Sequence, residues 1–382
     1  MLRGRAADGQ GDPRRALTTA AVVGAGLGGC ALLAAMALKG YEMRLHDLDD
    51  TRLAAIRERG GIDVEGLFTG FARARLVTPE LAPAVDGADV IVVCTGSNRH
   101  AEVARLLAPL LGDGQTILLV QGGTGGSLVV RNALKAARCR ASVDVCEMDN
   151  YPFSLQWPTP TRMNFTIRKE LLQIAALPAA RGPAVVAELK AAFPQAVAAP
   201  STLYTGLMNA NAILHVANMV TNVGRLEAHG NAYRFYAEGY TPGAINVLQR
   251  VSDERLAVAR AFGVSLPGIQ QWLLDTYRLG GATLAETFTR LTHEPTGPYQ
   301  WTPTPRSMDH KYVTEDVPSG LVAMAALGDA AGVDTPVIDG LIALSSSLLG
   351  RDLTKPDGRT LDYLGLAGKT VEQIRTVFET GP

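Results

Sequence analysis

One apolar stretch, NANAILHVANMVTNVGR (residues 209–225), carries Asn211, His215, Asn218, Asn222 and Arg225 at steps of four, three, four and three. At about 100° per residue these five share one arc of a helix. Amide, imidazole and guanidinium groups on an apolar helix are costly to bury unless each finds a partner. An imidazole moves protons near neutral pH, so a stripe of this kind lining a cleft suits acid–base chemistry. The competing reading is a helix face turned to solvent, or core amides satisfied by backbone. Three asparagines and an arginine beside the histidine favour the cleft. A working histidine also needs an orienting carboxylate. The irregular, charged segment HKYVTEDVPSG (310–320), set between helical patterns, is the candidate source, its bland alternative being a solvated loop.

A second constellation lies near the start of the chain. Ala20–Val23 reads as a buried strand, followed by Gly24, Gly26 and Gly29 in G-x-G-x-x-G spacing and an Ala- and Leu-rich helix. The strand Glu42–His46 then ends at Asp47, 23 positions after Gly24. Gly24 permits a tight turn, Gly26 lets backbone approach a pyrophosphate, and Gly29 lets the helix pack on the strand. The helix start, with Leu27 and Gly28, offers unpaired N–H groups to phosphate. Asp47 suits ribose hydroxyls and favours NAD; Arg52 offers a route to NADP. The runs ADVIVVCTG (88–96) and QTILLVQGG (115–123) end in loops expected to line the nicotinamide side, with His100 just after the first.

These groups need a frame. The chain has 382 residues, 47% hydrophobic and 19% charged, with a formal net charge of −1. Such a composition is that of a globular protein and gives no basic patch for nucleic acid or an anionic membrane. No apolar run reaches the roughly 18 residues of a membrane span. Residues 1–17 are polar and expected as a disordered lead-in rather than a secretory signal. Cys30, Cys94, Cys139 and Cys146 form no C-x-x-C pair, so free thiols, no metal site and a cytoplasmic setting are expected. Residues 18–200 read as a Rossmann-type, doubly wound parallel sheet, and 201–382 as a mainly α-helical domain closing over it. Helices are predicted at about 203–228, 241–262, 268–278, 281–292, 321–332 and 337–350, and Ser252 with Gly263 frames DERLAVARAF as a capped helix. The sequence allows a homodimer.

Taken in order, VVGAGLGGCALLAAMALKG, Glu147 after a strand, NANAILH, YRFYAEGYTPGAINVLQRVSDERLAVARAFGV, KYVTEDVPSGLVAMAALGDAAGVDTPVID and GRTLDYLGLAG resemble the octopine/opine dehydrogenase family. The resemblance covers nearly the whole chain after about residue 17. It implies a two-domain, NAD(P)-dependent enzyme that joins a 2-keto acid to the amino group of an amino acid or another amine. It places the catalytic histidine at His215, its acid partner at Asp316, an adjacent asparagine at Asn211 and a substrate-binding acid at Glu147. The chain departs from the family pattern twice. Lys311 stands for an arginine, keeping the charge but losing the two-pronged contact. Gln156 stands for another arginine, a loss that Arg162 or Arg168 is placed to offset. Two alternatives are a simple ketone reductase of the ketopantoate or glycerol-phosphate kind, and a dinucleotide-binding sensor without turnover. The first depends on a catalytic lysine in the helical domain, where this chain's helix carries His215.

Overall fold

The computed structural model describes residues 18–382, so the lead-in expected for 1–17 lies outside the described residues. The chain alternates strands and helices through its first half. In order these strands are β1 (Thr19–Val23), β2 (Glu42–His46), β3 (Gly61–Gly66), β4 (Gly70–Arg73), β5 (Leu76–Thr78), β6 (Val90–Val93), β7 (Thr116–Leu119), β8 (Asp144–Met148), β9 (Phe153–Thr159), β10 (Arg162–Arg168), β11 (Leu172–Leu177) and β12 (Ala196–Ala198). Eight of them form one sheet in the order β12-β11-β8-β7-β6-β1-β2-β5. β1 pairs in parallel with β2 on one side and β6 on the other. The order therefore reverses at β1, and a crevice opens beyond the carboxyl ends of β1 and β6. Helices cover both faces, which is why β6 and β7 read as unbroken apolar runs: each of their residues is buried.

The sheet is not parallel throughout. β11 runs antiparallel to β8, Ile174 opposite Met148, and β12 follows β11. After β8 the chain makes no crossover helix. It forms the β9–β10 hairpin and re-enters at the end where β8 finished, so the next strand must run back. That hairpin joins β3 and β4 in a second, four-stranded sheet, β4-β3-β10-β9, which the sequence reading did not anticipate.

From residue 202 the fold is helical around one large apolar core. The helix expected at 203–228 is three pieces, Thr202–Met208, Ala210–Thr221 and Val223–His229. It breaks at Asn209, whose ψ is 81°, and at Asn222. The Asn222 amide donates to the Asn218 carbonyl, 2.9 Å, in the way asparagine side chains compete with helix hydrogen bonding. Pro242–Ala261, Ile269–Tyr277, Leu284–His293, Val322–Ala331 and Pro336–Leu349 lie close to the predicted helices. Ser252 does not cap; it is buried inside the first of these, and its Oγ accepts from the Ile269 N–H, 3.3 Å. The cap is Thr241, ahead of Pro242.

One guanidinium joins the two halves. Arg359, 1% exposed, donates to the carbonyls of Gly122 (2.7 Å), Thr124 (2.9 Å) and Ser97 (2.9 Å) in the loops beyond β6 and β7. Burial pushes it down to about 10. Leaving a buried acceptor without a donor costs about 1–3 kcal/mol. Arg359→Met is therefore expected to lower unfolding free energy by at least about 3 kcal/mol, read from urea denaturation; a midpoint and slope equal to wild type would show that these bonds do not hold the halves together.

Candidate active site

The glycine turn has the geometry its spacing predicts. Gly24 holds φ at +109°, and a Cβ there would meet the Cys94 carbonyl at 2.9 Å. A Cβ on Gly29 would fall 1.8 Å from the Gly24 oxygen, so only glycine lets this helix sit against its strand. A Cβ on Gly26 would meet nothing within 4 Å: the space above it is open. Helix Leu27–Ala37 begins there with no acidic side chain in its first turn to compete for an anion. Asp47 accepts the Ala25 N–H (2.7 Å) and the Asp49 N–H (2.9 Å), which fixes its carboxylate beside the turn. Arg52 lies 3.9 Å from Asp47 and 3.2 Å from Asp49. A cavity of about 360 Å³ is lined by Gly24, Gly26, Asp47 and Arg52. A second, of about 520 Å³, shares Gly26 and Arg52 and runs from Leu27 and Gly28 to His215 and Asp316. An open glycine turn, a bare helix start and a fixed acid fit a dinucleotide, and the adjoining cavity fits a small substrate.

At the far wall the His215 Nδ1 lies 2.7 Å from an Asp316 carboxylate oxygen. The histidine is 7% exposed and comes from helix Ala210–Thr221. Asp316 precedes a single π-turn, Val317–Leu321. The two elements pack at the minimum distance, because a Cβ on Gly320 would come within 2.4 Å of the Ala212 Cβ. The Asp316 segment is also pinned to the sheet. The neighbouring Glu315 accepts the Ser97 N–H at 2.8 Å, Ser319 meets Ser97 Oγ at 2.7 Å, and the Thr124 N–H donates to the Ser319 carbonyl at 2.9 Å. Asn211 and Lys311 line the same cavity, and Lys311 is exposed.

The rest of the polar stripe does other work. Asn218 donates to the Phe235 carbonyl (2.9 Å), Asn222 to the Gly239 carbonyl (2.9 Å), and Arg225 to the carbonyl and carboxylate of Glu238 (3.0 and 2.8 Å). Together they satisfy the loose carbonyls of the short helix Phe235–Gly239. That helix carries Tyr236, whose hydroxyl is 2.9 Å from His215 Nε2. Tyr312 stacks on the imidazole at 3.7 Å between centroids and 19° between planes. Both tyrosines lay inside quoted motifs, YRFYAEGY and KYVTED, but nothing in the spacing singled them out.

Three expected site residues lie elsewhere. Glu147 is fully buried; it accepts Ser127 N–H (2.9 Å), Ser127 Oγ (2.7 Å) and Thr205 Oγ1 (2.7 Å), so it is a tie between sheet and helices rather than a cleft acid. Burial raises its carboxyl above the usual range. His100, 1% exposed, faces the Arg359 seam, 3.4 Å from that guanidinium, and does not reach the cofactor crevice. Burial and then Arg359 hold it well below the ordinary imidazole value. Gln156 is exposed on β9, opposite Asn164 in the small sheet. Arg162 pairs with Glu65 at 2.6 Å and Arg168 borders a neighbouring cavity. The residues that do line the cleft from this side are Asn150, Tyr151 and Lys169. The Tyr151 hydroxyl donates to the Gly28 carbonyl at 2.7 Å.

Residues 198–349 match the family model described as NAD/NADP octopine/nopaline dehydrogenase, alpha-helical domain, and residues 20–150 match that of ketopantoate reductase. The chain is 34% identical to the opine dehydrogenase of Arthrobacter sp. (strain 1C) over 362 residues, covering 94% of this chain and 99% of that one. The chain belongs to the opine dehydrogenase family. A structure of octopine dehydrogenase with NADH and L-arginine shares the fold, with a TM-score of 0.76 at 20% identity, covering 94% of this chain and 98% of that one. Yersinopine dehydrogenase with NADP+ gives a TM-score of 0.69 at 16% identity, covering 95% and 98%. The enzyme is an NAD(P)-dependent oxidoreductase acting on CH–NH donors by opine-type reductive condensation. The ketopantoate reductase model matches within the sheet half, while the model matched through the helices is that of octopine and nopaline dehydrogenases.

Because Gly320 sets the spacing on which the His215–Asp316 contact depends, Gly320→Ala is expected to destabilise the fold by about 1–3 kcal/mol. It should also lower kcat at temperatures where the protein stays folded. A variant with wild-type melting and turnover would show that the spacing has slack.

Proposed function

We propose that this enzyme condenses a 2-keto acid with the amino group of an amino acid or another amine, with His215 as the acid–base group and Asp316 as its orienting partner. The carrying observation is the 2.7 Å contact between them, on the wall of the cavity that begins at the glycine turn. The octopine dehydrogenase neighbour holds NADH with L-arginine, which supports an amine substrate in this cleft.

Gly26, Leu27, Gly28 and Gly29 would hold the pyrophosphate of NAD(P)H, with Asp47 at the ribose. Bound there, the nicotinamide supplies the hydride that reduces the imine carbon. Asp316 accepts the Nδ1–H, which leaves Nε2 to carry the mobile proton. His215 takes a proton as the amine adds to the ketone, and returns it to the hydroxyl that leaves as water. An ammonium, a ketone and a hydride become a secondary ammonium and water with uptake of one further proton. Nε2 shares its proton with the Tyr236 hydroxyl, and stacked Tyr312 fixes the ring plane. Lys311 meets a substrate carboxylate with one prong, and Asn211 orients the substrate beside it. The four cysteines are free, which supports a reducing, cytoplasmic setting. Burial pushes the Cys30 thiol up to about 12, so it takes no part near neutral pH.

The reaction is tested by following NAD(P)H absorbance with keto-acid and amine panels, singly and together. Oxidation should need both partners; oxidation with a ketone alone would make the enzyme a simple reductase. His215→Ala should lower kcat on the order of 10³-fold while cofactor affinity is unchanged. Tyr236→Phe removes one hydrogen bond to a charged group and should cost roughly 10- to 100-fold. Wild-type turnover in His215→Ala would remove the imidazole from the mechanism.

We further propose a preference for NAD, because a 2′-phosphate would meet the fixed Asp47 carboxylate, with Arg52 the only nearby counterweight we assign. Wild type should show the higher kcat/KM with NADH than with NADPH, and Asp47→Ala should narrow that ratio about tenfold, or about 1.4 kcal/mol. A ratio unmoved by Asp47→Ala would take the preference away from this residue.

A further inference from the structure

Lys169 is the residue in this cleft whose chemistry is least satisfied. It follows β10, is 7% exposed, and lines the cavity that holds His215, Asp316 and Lys311. An ammonium has three donors and no acceptor. Among the described residues, the Lys169 Nζ has one hydrogen-bond acceptor, the Asn150 Oδ1 at 2.6 Å, and the face of Tyr277 at 5.7 Å. No carboxylate of the described residues lies within ion-pair distance of it. The acid that acts on it, Asp149, is turned to the Gln173 N–H at 2.9 Å and to Trp272. Burial pushes Lys169 down to about 7, with Asp149 acting in the other direction. Asn150 is held on one side by two donors to its Oδ1, Lys169 and the Tyr151 N–H at 2.8 Å. Its Nδ2 is a buried donor without a partner. Donors thus outnumber acceptors at this end of the cavity, and a buried positive group is costly until an anion joins it.

We propose that Lys169, oriented by Asn150, anchors one of the two carboxylates brought together in the condensation, with Lys311 serving the other. The assignment rests on the opine reading of the reaction. A keto acid and an amino acid bring one carboxylate each, and the cavity offers one ammonium from each half of the chain, neither of them ion-paired. The anchor is one-pronged and comes from the residue beside Arg168, on the far side of the β9–β10 hairpin from Gln156. It therefore favours a carboxylate held at one oxygen rather than by a planar fork.

The test compares wild type, Lys169→Met, Lys169→Gln and Lys169→Arg, measuring kcat and KM by NAD(P)H oxidation and substrate dissociation constants by calorimetry. Each acid is paired with a counterpart lacking its carboxylate: the amino acid with the decarboxylated amine, the keto acid with a methyl ketone. Lys169→Met should raise KM and the dissociation constant for one acid on the order of 10- to 100-fold, with kcat and reduced-cofactor affinity close to wild type. The carboxylate-free counterpart of that acid should bind wild type and variant alike. The acid whose KM moves identifies which carboxylate is held. Lys169→Arg should recover most of the loss. Should Lys169→Met not fold, Lys169→Gln, which keeps a donor for Asn150 but no charge, answers the same question. Unchanged constants for both acids, or equal losses for the carboxylate-free counterparts, overturn the anchor. Wild type that oxidises NAD(P)H with a ketone alone overturns the opine reading instead, and the anchor with it.

Discussion

Three backbone carbonyls at the carboxyl ends of β6 and β7 point to Arg359, and that convergence sets the relation between the crevice beyond those strands and the His215–Asp316 pair. In an open α/β sheet the loops beyond these strand ends line the ligand crevice. Here one side of each loop is spent on docking the chain's second half. Arg359 is next to the Asp316 segment in space, since its own N–H donates to the Pro318 carbonyl at 2.9 Å. Glu315 and Ser319 complete the attachment through Ser97 and Thr124. The acid of the dyad is thus registered against the sheet, and His215 is registered against the acid by the close approach of Gly320 and Ala212. Each link is short and at least partly buried, so the imidazole has little freedom relative to the glycine turn.

The buried charges divide by how well they are satisfied. Glu147 is fully buried yet receives three donors, and Glu254 receives the N–H groups of Val337 and Ile338 at a helix start. Such groups hold elements together and leave nothing over for a ligand. The Asp316 carboxylate and the Lys169 ammonium keep unused capacity and face a cavity. The difference lies in partner count. That distinction needs coordinates, because a sequence shows which residues are chargeable and not how many neighbours each one has.

The glycine turn, Asp47 and His215 were legible because each rests on local chemistry: a fixed spacing, a strand end, a helical period; the 310–320 segment stands out by its charge, and Asp316 within it comes from the family resemblance. The stripe was legible only in part. Its period placed five polar groups on one arc, and the arc does face one way, but Asn218, Asn222 and Arg225 meet a short helix that covers them. The family resemblance places Glu147 at the substrate, and His100 is expected at the cofactor because it follows the loop beyond β6. Both turned into the seam, where Ser127, Thr205 and Arg359 come from segments far away in sequence. The small sheet escaped because β3 pairs with β10 across about a hundred residues, and no local pattern encodes a partner that distant. Tyr236 was hidden for the same reason: its hydroxyl matters only because three side chains of the stripe hold its helix in place.

The two halves carry different amounts of chemical information. As proposed, the glycine turn and Asp47 would hold a reduced nicotinamide without specifying what receives the hydride, which accords with a sheet half that also matches the ketopantoate reductase model. Ketone reduction asks for one proton at one oxygen. Condensation asks for more, because a proton must leave nitrogen as the C–N bond forms and another must reach oxygen before water can depart. One proton given up by a single acid completes the first task. The second needs a group that loads and unloads within one turnover, and an imidazole with one nitrogen fixed by a carboxylate and the other beside an exchangeable hydroxyl is such a group. In the proposed mechanism that group is the Asp316–His215–Tyr236 line, built from residues beyond 200, all within the half that matches the octopine and nopaline dehydrogenase model. On the proposed mechanism the reaction is selected by where the helical half places one ring, while the sheet half would hold the cofactor that supplies the electrons.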